Sequence, residues 1–282
     1  MKSKPFKLMR VMSAVYLEPW LIRPEMHSQI SRIVQAHVDG TAHVEGIMDL
    51  VESDKPEYAV MDGVAIIPVK GVIGQGVSQI EKSSGMCDVN DVEDMIDLAM
   101  ADESVGAIML DIDSPGGTVS GTPELASKIS AIRETKPVIS YANGMEASAA
   151  YWIGSQATAS FASESATVGS IGVYLPILDS SRAMEMQGLK MELFKAGKFK
   201  GAGVQGTSLS DDQKAMFQSR VDHIHGMFKA SVRDGRGRNI ADEDMEGQDF
   251  IGSQAVDNGL VDGIATRKEV IEIAKKLAQI KE

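Results

Sequence analysis

The sequence predicts an α/β protein with a largely parallel sheet, preceded by a helical amino-terminal arm. From about residue 58 onward, short apolar runs alternate with amphipathic segments of helical period, which is the order expected of βαβ units. The 282 residues, 43% hydrophobic and 24% charged, have the composition of an ordinary globular protein. The chain is therefore long enough and apolar enough to bury a sizeable core.

The first 57 residues are predicted to form an arm and a linker. In SQISRIVQAHV the apolar residues recur at helical spacing, whereas IMDLVESDKP collects acidic residues and a proline, as exposed linkers do. We therefore divide the chain into an arm and linker at 1–57, a main domain at 58–266 and a carboxyl-terminal helix at 267–282.

The main domain is predicted to alternate strands and helices. The strands are GVAIIPVKGVI, VGAIMLDID and PVISYA; the helices are DVEDMIDLAMA, GTPELASKISAIRET, ASAAYWIGSQA and a long one in DDQKAMFQSRVDHIHGMFKASVRDG. The long helix carries Phe217, Val221, Ile224 and Phe228 on one face, which predicts that this face packs on the domain.

Composition argues against several classes of function. The net charge of −12 disfavours nucleic-acid binding, which needs clustered lysine and arginine. A lone cysteine, Cys87, forms no internal disulfide and suggests no zinc pattern. No run of about 18 apolar residues predicts a membrane span, and the basic start lacks a convincing signal-peptide cleavage pattern. We expect a cytoplasmic protein without a metal.

Two turns after strands carry candidate chemistry. The strand VGAIMLDID runs into Ser114, Pro115, Gly116 and Gly117, where glycine can leave backbone N–H groups facing a ligand as an oxyanion hole. The alternative is a common proline turn. About thirty residues later, Ser148 lies at a strand-to-helix turn among small side chains, where it is either an approachable nucleophile or a helix N-cap.

A nucleophilic serine needs a base. His27, His37 and His43 lie in the arm, and His223 and His225, two residues apart on a helix, point to different faces. Burial can make a lysine a base by lowering the pKa of its ammonium, and FKAGKFKGAG offers Lys195, Lys198 and Lys200. Each could equally be a solvated loop lysine, and spacing alone does not choose among them.

The motifs occur in an order that resembles the signal peptide peptidase A family of serine peptidases, and most of all its phage prohead (capsid maturation) proteases. They are DSPGG, NGMEASAAYWIGSQA, TVGSIGV, FKAGKFKG, QSRVD on the long helix, and GSQAVDNGLVDGI. They span about 58–266, and EPW near Trp20 is similar to the amino-terminal segment of the phage members. The resemblance implies a crotonase/Clp-protease-like fold, a β-β-α superhelix with a largely parallel sheet.

The resemblance also implies roles for individual residues. The family's nucleophile falls on Ser148, its lysine base, which follows a Gly-x-x step, on Lys200, and its oxyanion donors on the backbone N–H groups of Gly117 and Ala149. Ser170 in GSIG resembles the hydroxyl that orients the lysine. No cofactor or metal is implied. Many relatives have glycines where this chain has Ala149 and Ala150, a departure that bears on specificity.

Other implications concern partners. The family suggests peptide substrates, here capsid and scaffold proteins, and a ring of identical subunits in which serine and lysine can come from neighbouring chains. Three alternatives remain: a bacterial signal peptide peptidase, which usually carries a membrane anchor; a non-catalytic capsid assembly component; and a crotonase-type acyl-CoA enzyme. No membrane anchor for the first is visible in the sequence, Ser148 and Lys200 argue against the second, and the serine, the lysine and the motif order disfavour the third.

Overall fold

The structure is a computed structural model that describes residues 19–22, 27–28, 30–32 and 57–281. Most of the predicted arm and linker therefore lies outside the described residues, including most of the predicted helix SQISRIVQAHV and the histidines His37 and His43. The division of the chain into arm, main domain and terminal helix stays a prediction.

The described residues contain two sheets. Their strands are β1 Trp20–Ile22, β2 Ala59–Met61, β3 Val64–Lys70, β4 Val72–Gly74, β5 Met86–Asp88, β6 Ala107–Ser114, β7 Gly116–Thr118, β8 Val138–Ala147, β9 Ala159–Ala162, β10 Thr167–Gly169, β11 Asp249–Ile251 and β12 Gly263–Ile264.

Helices connect and cover these strands. They are α1 Gln79–Ser83, α2 Val89–Ala101, α3 Thr122–Ile132, α4 Ala149–Gly154, α5 Ser181–Met186, α6 Asp211–Arg236, α7 Gly252–Asp257 and α8 Arg267–Lys281, with a 3₁₀ turn at Asp242–Met245. Among the described helices, none is long and apolar enough to cross a bilayer.

The larger sheet is mostly parallel. Its order is β11-β10-β8-β6-β3-β2, with β9 paired to β8 and β12 paired to β9. The pairs β3 with β6, β6 with β8, β8 with β9 and β8 with β10 are parallel, whereas β2 and β11 are antiparallel to their neighbours. The predicted α/β fold with a largely parallel sheet is therefore confirmed.

Both faces of the larger sheet are covered, and its central strands place buried apolar side chains on both of them. In β3, Ala65, Ile67 and Val69 point into the main core, and Val64 and Ile66 point to the other face, where α8 packs. Parallel sheets bury both faces in this way, which explains why these strands read as continuous apolar runs rather than alternating ones.

The long helix α6 anchors the second half of the chain. Ser210 and Gln213 form a capping box at its start, and Gly237 ends it with a φ of 59°. Ile224 and Phe228 are buried as predicted, while Phe217 and Val221 are half-buried. The Phe228 ring stacks on Trp152 of α4 at 4.6 Å between centroids, so α6 holds α4 in place.

The smaller sheet has the order β1-β7-β4-β5, and its strand β7 begins with the two glycines of the turn after β6. Strands β4 and β7 are parallel, and β1 is antiparallel to β7. Thus Trp20–Ile22, which the sequence analysis placed in the arm, forms a strand whose three residues are all buried.

Candidate active site

Ser148 lies between the end of β8 and the start of α4, with φ 58° and ψ −119°. This conformation is costly for a residue other than glycine, by about 1–3 kcal/mol, and persists where the surroundings enforce it. The Ser148 N–H donates to the Gly169 carbonyl at 2.7 Å, and the Trp152 N–H donates to the Ser148 carbonyl at 2.9 Å. Its hydroxyl makes no capping bond to α4, so it is not a conventional N-cap.

The glycine turn after β6 lies directly against this serine. The Ser114 hydroxyl donates to the Gly71 carbonyl at 2.6 Å and accepts from the Gly116 N–H at 3.2 Å, which fixes the turn. Gly116 has a φ of 98°, and a Cβ there would lie 2.9 Å from the Ser148 Cβ. Only glycine therefore permits this approach of the turn to Ser148.

The two predicted oxyanion donors belong to Ala149, which follows Ser148 in the chain, and to Gly117 of the glycine turn. Ala149 is the first residue of α4, so its N–H has no acceptor within that helix. Gly117 follows the glycine that touches Ser148, and a Cβ at Gly117 would lie 1.9 Å from the Ile73 carbonyl oxygen. The assignment of these N–H groups to an oxyanion hole stays a prediction.

Ser170 lies on the other side of Ser148, one residue after Gly169. It also has a positive φ, 53°, and its N–H donates to the Gln248 carbonyl at 2.8 Å. Its hydroxyl donates to the Gly247 carbonyl at 3.4 Å. The structure therefore gathers Ser148, Ser170 and the glycine turn in one place.

His225 supports the loop that carries Ser170, a role the sequence analysis did not assign. Its Nε2 lies 3.1 Å from the Ile171 carbonyl oxygen and 2.8 Å from the Met245 carbonyl oxygen. Because both partners only accept, Nε2 must carry the proton. No local signal marks this histidine, since its partners are 20 and 54 residues away in sequence.

Within one chain Lys200 is exposed, whereas Ser148 is buried. Lys200 lies in an exposed turn, and the described residues provide no hydrogen bond or ion pair to its ammonium. Of the other two lysines, Lys195 donates to the Lys198 carbonyl at 3.1 Å, and Lys198 pairs with Asp212 at 2.6 Å. The choice of Lys200 as the base thus stays a prediction from the family resemblance.

Glu146 is a buried carboxyl two residues before Ser148 that the sequence analysis did not single out. The Ser140 hydroxyl lies 2.9 Å from each of its carboxyl oxygens. Burial raises the pKa of Glu146 from 4.5 to about 8, although the Ser140 hydrogen bond and the Arg236 charge oppose the change. At neutral pH this carboxyl is therefore mostly protonated.

The buried carboxyl predicts a pH dependence of stability. Since the folded state holds this proton up to about pH 8 and the unfolded state releases it near pH 4.5, the free energy of unfolding falls as pH rises between these values. Glu146→Gln should remove this slope. Its free energy of unfolding should therefore rise relative to that of the wild type by a few kcal/mol between pH 5 and pH 8, since one pKa unit is worth about 1.4 kcal/mol.

Urea unfolding at pH 5, 6, 7 and 8 measures the difference between the two proteins. Glu164→Gln, at an exposed carboxylate, is the matched control and should run parallel to the wild type. A constant difference between wild type and Glu146→Gln over this range would contradict a raised pKa at Glu146.

The fold and the site define a class of protein: an α/β protein in which a serine ends a strand of a largely parallel sheet, begins a helix and lies against a glycine turn. The model of peptidase family S49 matches residues 130–281, more than half of the chain. The chain therefore belongs to peptidase family S49, and the resemblance drawn from its motifs is confirmed.

Individual relatives carry phage and protease names. The chain is 32% identical to capsid assembly protease C of Escherichia phage lambda over 77% of its own length and 50% of that protein. It is 26% identical to head-tail preconnector protein GP5 of Enterobacteria phage P21, over 94% of its own length and 57% of that protein. The chain thus spans about half the length of these relatives.

Among solved structures, a membrane-bound stomatin-specific protease matches with a TM-score of 0.45 and 16% identity. The match covers 76% of this chain and 85% of that one. This likeness concerns the fold alone.

Proposed function

We propose that this chain is a serine endopeptidase with Ser148 as nucleophile and Lys200 as general base, acting in phage or prophage capsid maturation. The observation that carries the proposal is the strained elbow at Ser148. Its hydroxyl is not used as a helix cap, Ala149 follows it at the start of α4, and Gly116 of the glycine turn lies against its Cβ. Membership of peptidase family S49 supports the peptide bond as the bond that is cleaved.

The proposed reaction is acyl transfer. Lys200, in its neutral form, accepts the Ser148 proton as the serine oxygen attacks the peptide carbonyl carbon. The negative charge on the carbonyl oxygen is stabilised by the N–H groups of Gly117 and Ala149, each donor typically being worth about 10²–10³ in rate. The protonated lysine then gives its proton to the leaving amine and later helps water to release the acyl group.

The base is proposed to come from a neighbouring copy of the chain. Within one chain Lys200 is exposed, whereas a lysine that acts as a base needs burial to lose its charge. Insertion of this turn beside Ser148 of the next subunit would supply that burial. A head-to-tail contact of this kind repeats around a closed ring.

The segment that carries Lys200, residues 178–204, has the surface expected of a protein interface. Large apolar side chains are exposed along it, with Phe194 at 94% and Met186 at 83%. The others are Leu178, Leu189, Met191, Leu193, Phe199 and Val204. A monomeric protein rarely exposes so many apolar side chains together, so a second copy of the chain is the proposed cover.

Capsid and scaffold proteins are the proposed substrates, because the relatives include a capsid assembly protease and a head-tail preconnector protein. The reaction would then take place in the host cytoplasm, within or beside the assembling prohead.

Co-expression with the capsid and scaffold proteins of the same phage or prophage tests the substrate. Mass mapping should find new termini in one of these proteins, at sites that stay intact when Ser148→Ala replaces the wild type. Capsid and scaffold proteins that remain whole beside an enzyme active on casein would contradict the capsid role while leaving the peptidase in place.

A further inference from the structure

The strand β1 lies between β7 and Tyr174, next to the glycine turn that touches Ser148. On one side it pairs with β7, with Trp20 opposite Thr118, Leu21 opposite Gly117 and Ile22 opposite Gly116. On its other side the Trp20 N–H donates to the Tyr174 carbonyl at 2.8 Å, and the Tyr174 N–H donates to the Trp20 carbonyl at 3.2 Å. The segment is therefore the middle strand between the glycine turn and the loop that follows Ser170.

The alternation of backbone groups decides which carbonyl faces the proposed oxyanion donor. In an extended strand, successive residues direct their N–H and C=O groups to opposite sides. Because Trp20 directs both groups to Tyr174, Leu21 directs its own toward β7, where Gly117 is its register partner.

The Leu21 carbonyl also lies close to the nucleophile. A Cβ placed on Gly116 would be 2.1 Å from the Leu21 carbonyl oxygen and 2.9 Å from the Ser148 Cβ. The Leu21 carbonyl oxygen and the Ser148 Cβ thus border the same small space beside Gly116. A peptide substrate would place the carbonyl of its scissile bond in this position, between the serine and the backbone donors.

The segment is buried together with the serine. Trp20, Leu21 and Ile22 are 2%, 0% and 3% exposed, and Ser148 is 2% exposed. The His27 ring packs edge-on against Trp20 at 5.3 Å and against Tyr174 at 5.6 Å, so it contacts both paired residues. A protein substrate has no access to Ser148 while β1 is in place.

We propose that Trp20–Ile22 is a tethered pseudosubstrate: it fills the peptide-binding groove of its own chain, with the Leu21 carbonyl in the position of a scissile carbonyl, and must leave before a substrate binds. The inference rests on the proposed peptidase function.

Release of the strand is the first test, made on the full chain. Leu21→Asp places a charge at a position with no exposure and should expel β1, raising kcat/KM on an unfolded substrate such as casein by about tenfold or more. Leu98→Asp, on α2 where the leucine is 53% exposed, is the matched control and should leave the rate unchanged. A Leu21→Asp protein that is folded and no faster than wild type would overturn the proposal.

A reversible lock tests the same point without a buried charge. Trp20 and Thr118 face each other across the two strands as a non-hydrogen-bonded pair. In such pairs the Cα atoms are about 4.5 Å apart, a distance that a disulfide can span. The double variant Trp20→Cys/Thr118→Cys should cleave casein when reduced and lose at least about nine-tenths of that rate when oxidised. Equal rates in the two states would argue against a strand that has to leave.

Cys87 does not complicate this lock, because burial raises the pKa of its thiol to about 11, which leaves little thiolate at neutral pH. The single variants Trp20→Cys and Thr118→Cys control for oxidation elsewhere. Their rates should not respond to the oxidant.

A binding measurement separates this inference from the proposed catalysis. In a Ser148→Ala background, a fluorescent peptide of residues 17–24, LEPWLIRP, should bind the Leu21→Asp chain and not the parent chain, because only the former has an empty groove. Binding with no cleavage by any variant would refute the peptidase and keep the groove assignment. Equal binding to both chains, or self-cleavage of the wild type after Leu21, would refute the resident pseudosubstrate.

Discussion

Ser148→Ala is expected to abolish proteolysis, lowering kcat/KM on any peptide substrate by about 10⁴-fold or more, as loss of a nucleophilic serine does elsewhere. Without the hydroxyl no acyl intermediate forms, and only the proposed oxyanion donors remain. Folding should survive, because the hydroxyl makes no capping bond and the backbone bonds of residue 148 to Gly169 and Trp152 are unchanged.

The measurement pairs a casein cleavage assay with thermal unfolding. Ser155→Ala is the matched control, since Ser155 is also buried, at the end of α4, and bonds the Trp152 carbonyl at 2.9 Å. This control should lose some stability and keep the cleavage rate. A purified Ser148→Ala protein that still cleaves would end the assignment of the nucleophile.

Lys200→Ala is expected to be as inactive as Ser148→Ala, because no other group is proposed to take the serine proton. Lys198→Ala should stay active, since that lysine pairs with Asp212 on the surface. Lys200→Arg should also be inactive, because a guanidinium does not give up its proton at ordinary pH. Equal losses at Lys198 and Lys200 would leave the base unassigned.

Mixing the two inactive variants tests whether the dyad is shared between chains. If Ser148 of one subunit works with Lys200 of the next, mixed rings of Ser148→Ala and Lys200→Ala chains contain intact sites at about one interface in four. About a quarter of the wild-type rate should therefore return after the variants are unfolded and refolded together. A mixture as inactive as its components would place the dyad within one chain.

Much of the fold could be read from local patterns. The apolar runs of β3, β6 and the start of β8 and the helical periods of α2, α3 and α6 occur where the sequence predicts them, because burial on both sheet faces and on one helix face leaves a periodic trace. The order of the motifs likewise identified the family and, through it, Ser148, Lys200, Gly117, Ala149 and Ser170 as candidates.

Other features left no local trace. Glu146 reads as an ordinary surface glutamate until β8 and α4 enclose it, and His225 reads as a surface histidine until its two carbonyl partners come together. For Lys200 the sequence is the more informative of the two: the family motif selects it, whereas the fold of a single chain leaves it as exposed as Lys198.

The sequence by itself determined the class of the fold, the family, and a serine between a strand and a helix. Only the tertiary structure decided the backbone conformation of Ser148, the close approach of Gly116 to it, and the position of Trp20–Ile22 between β7 and Tyr174. The physical reason is distance along the chain. Three apolar residues favour burial anywhere, and their place is set by strand partners about 95 and 150 residues away, whose free hydrogen-bonding groups exist only after the sheet has formed.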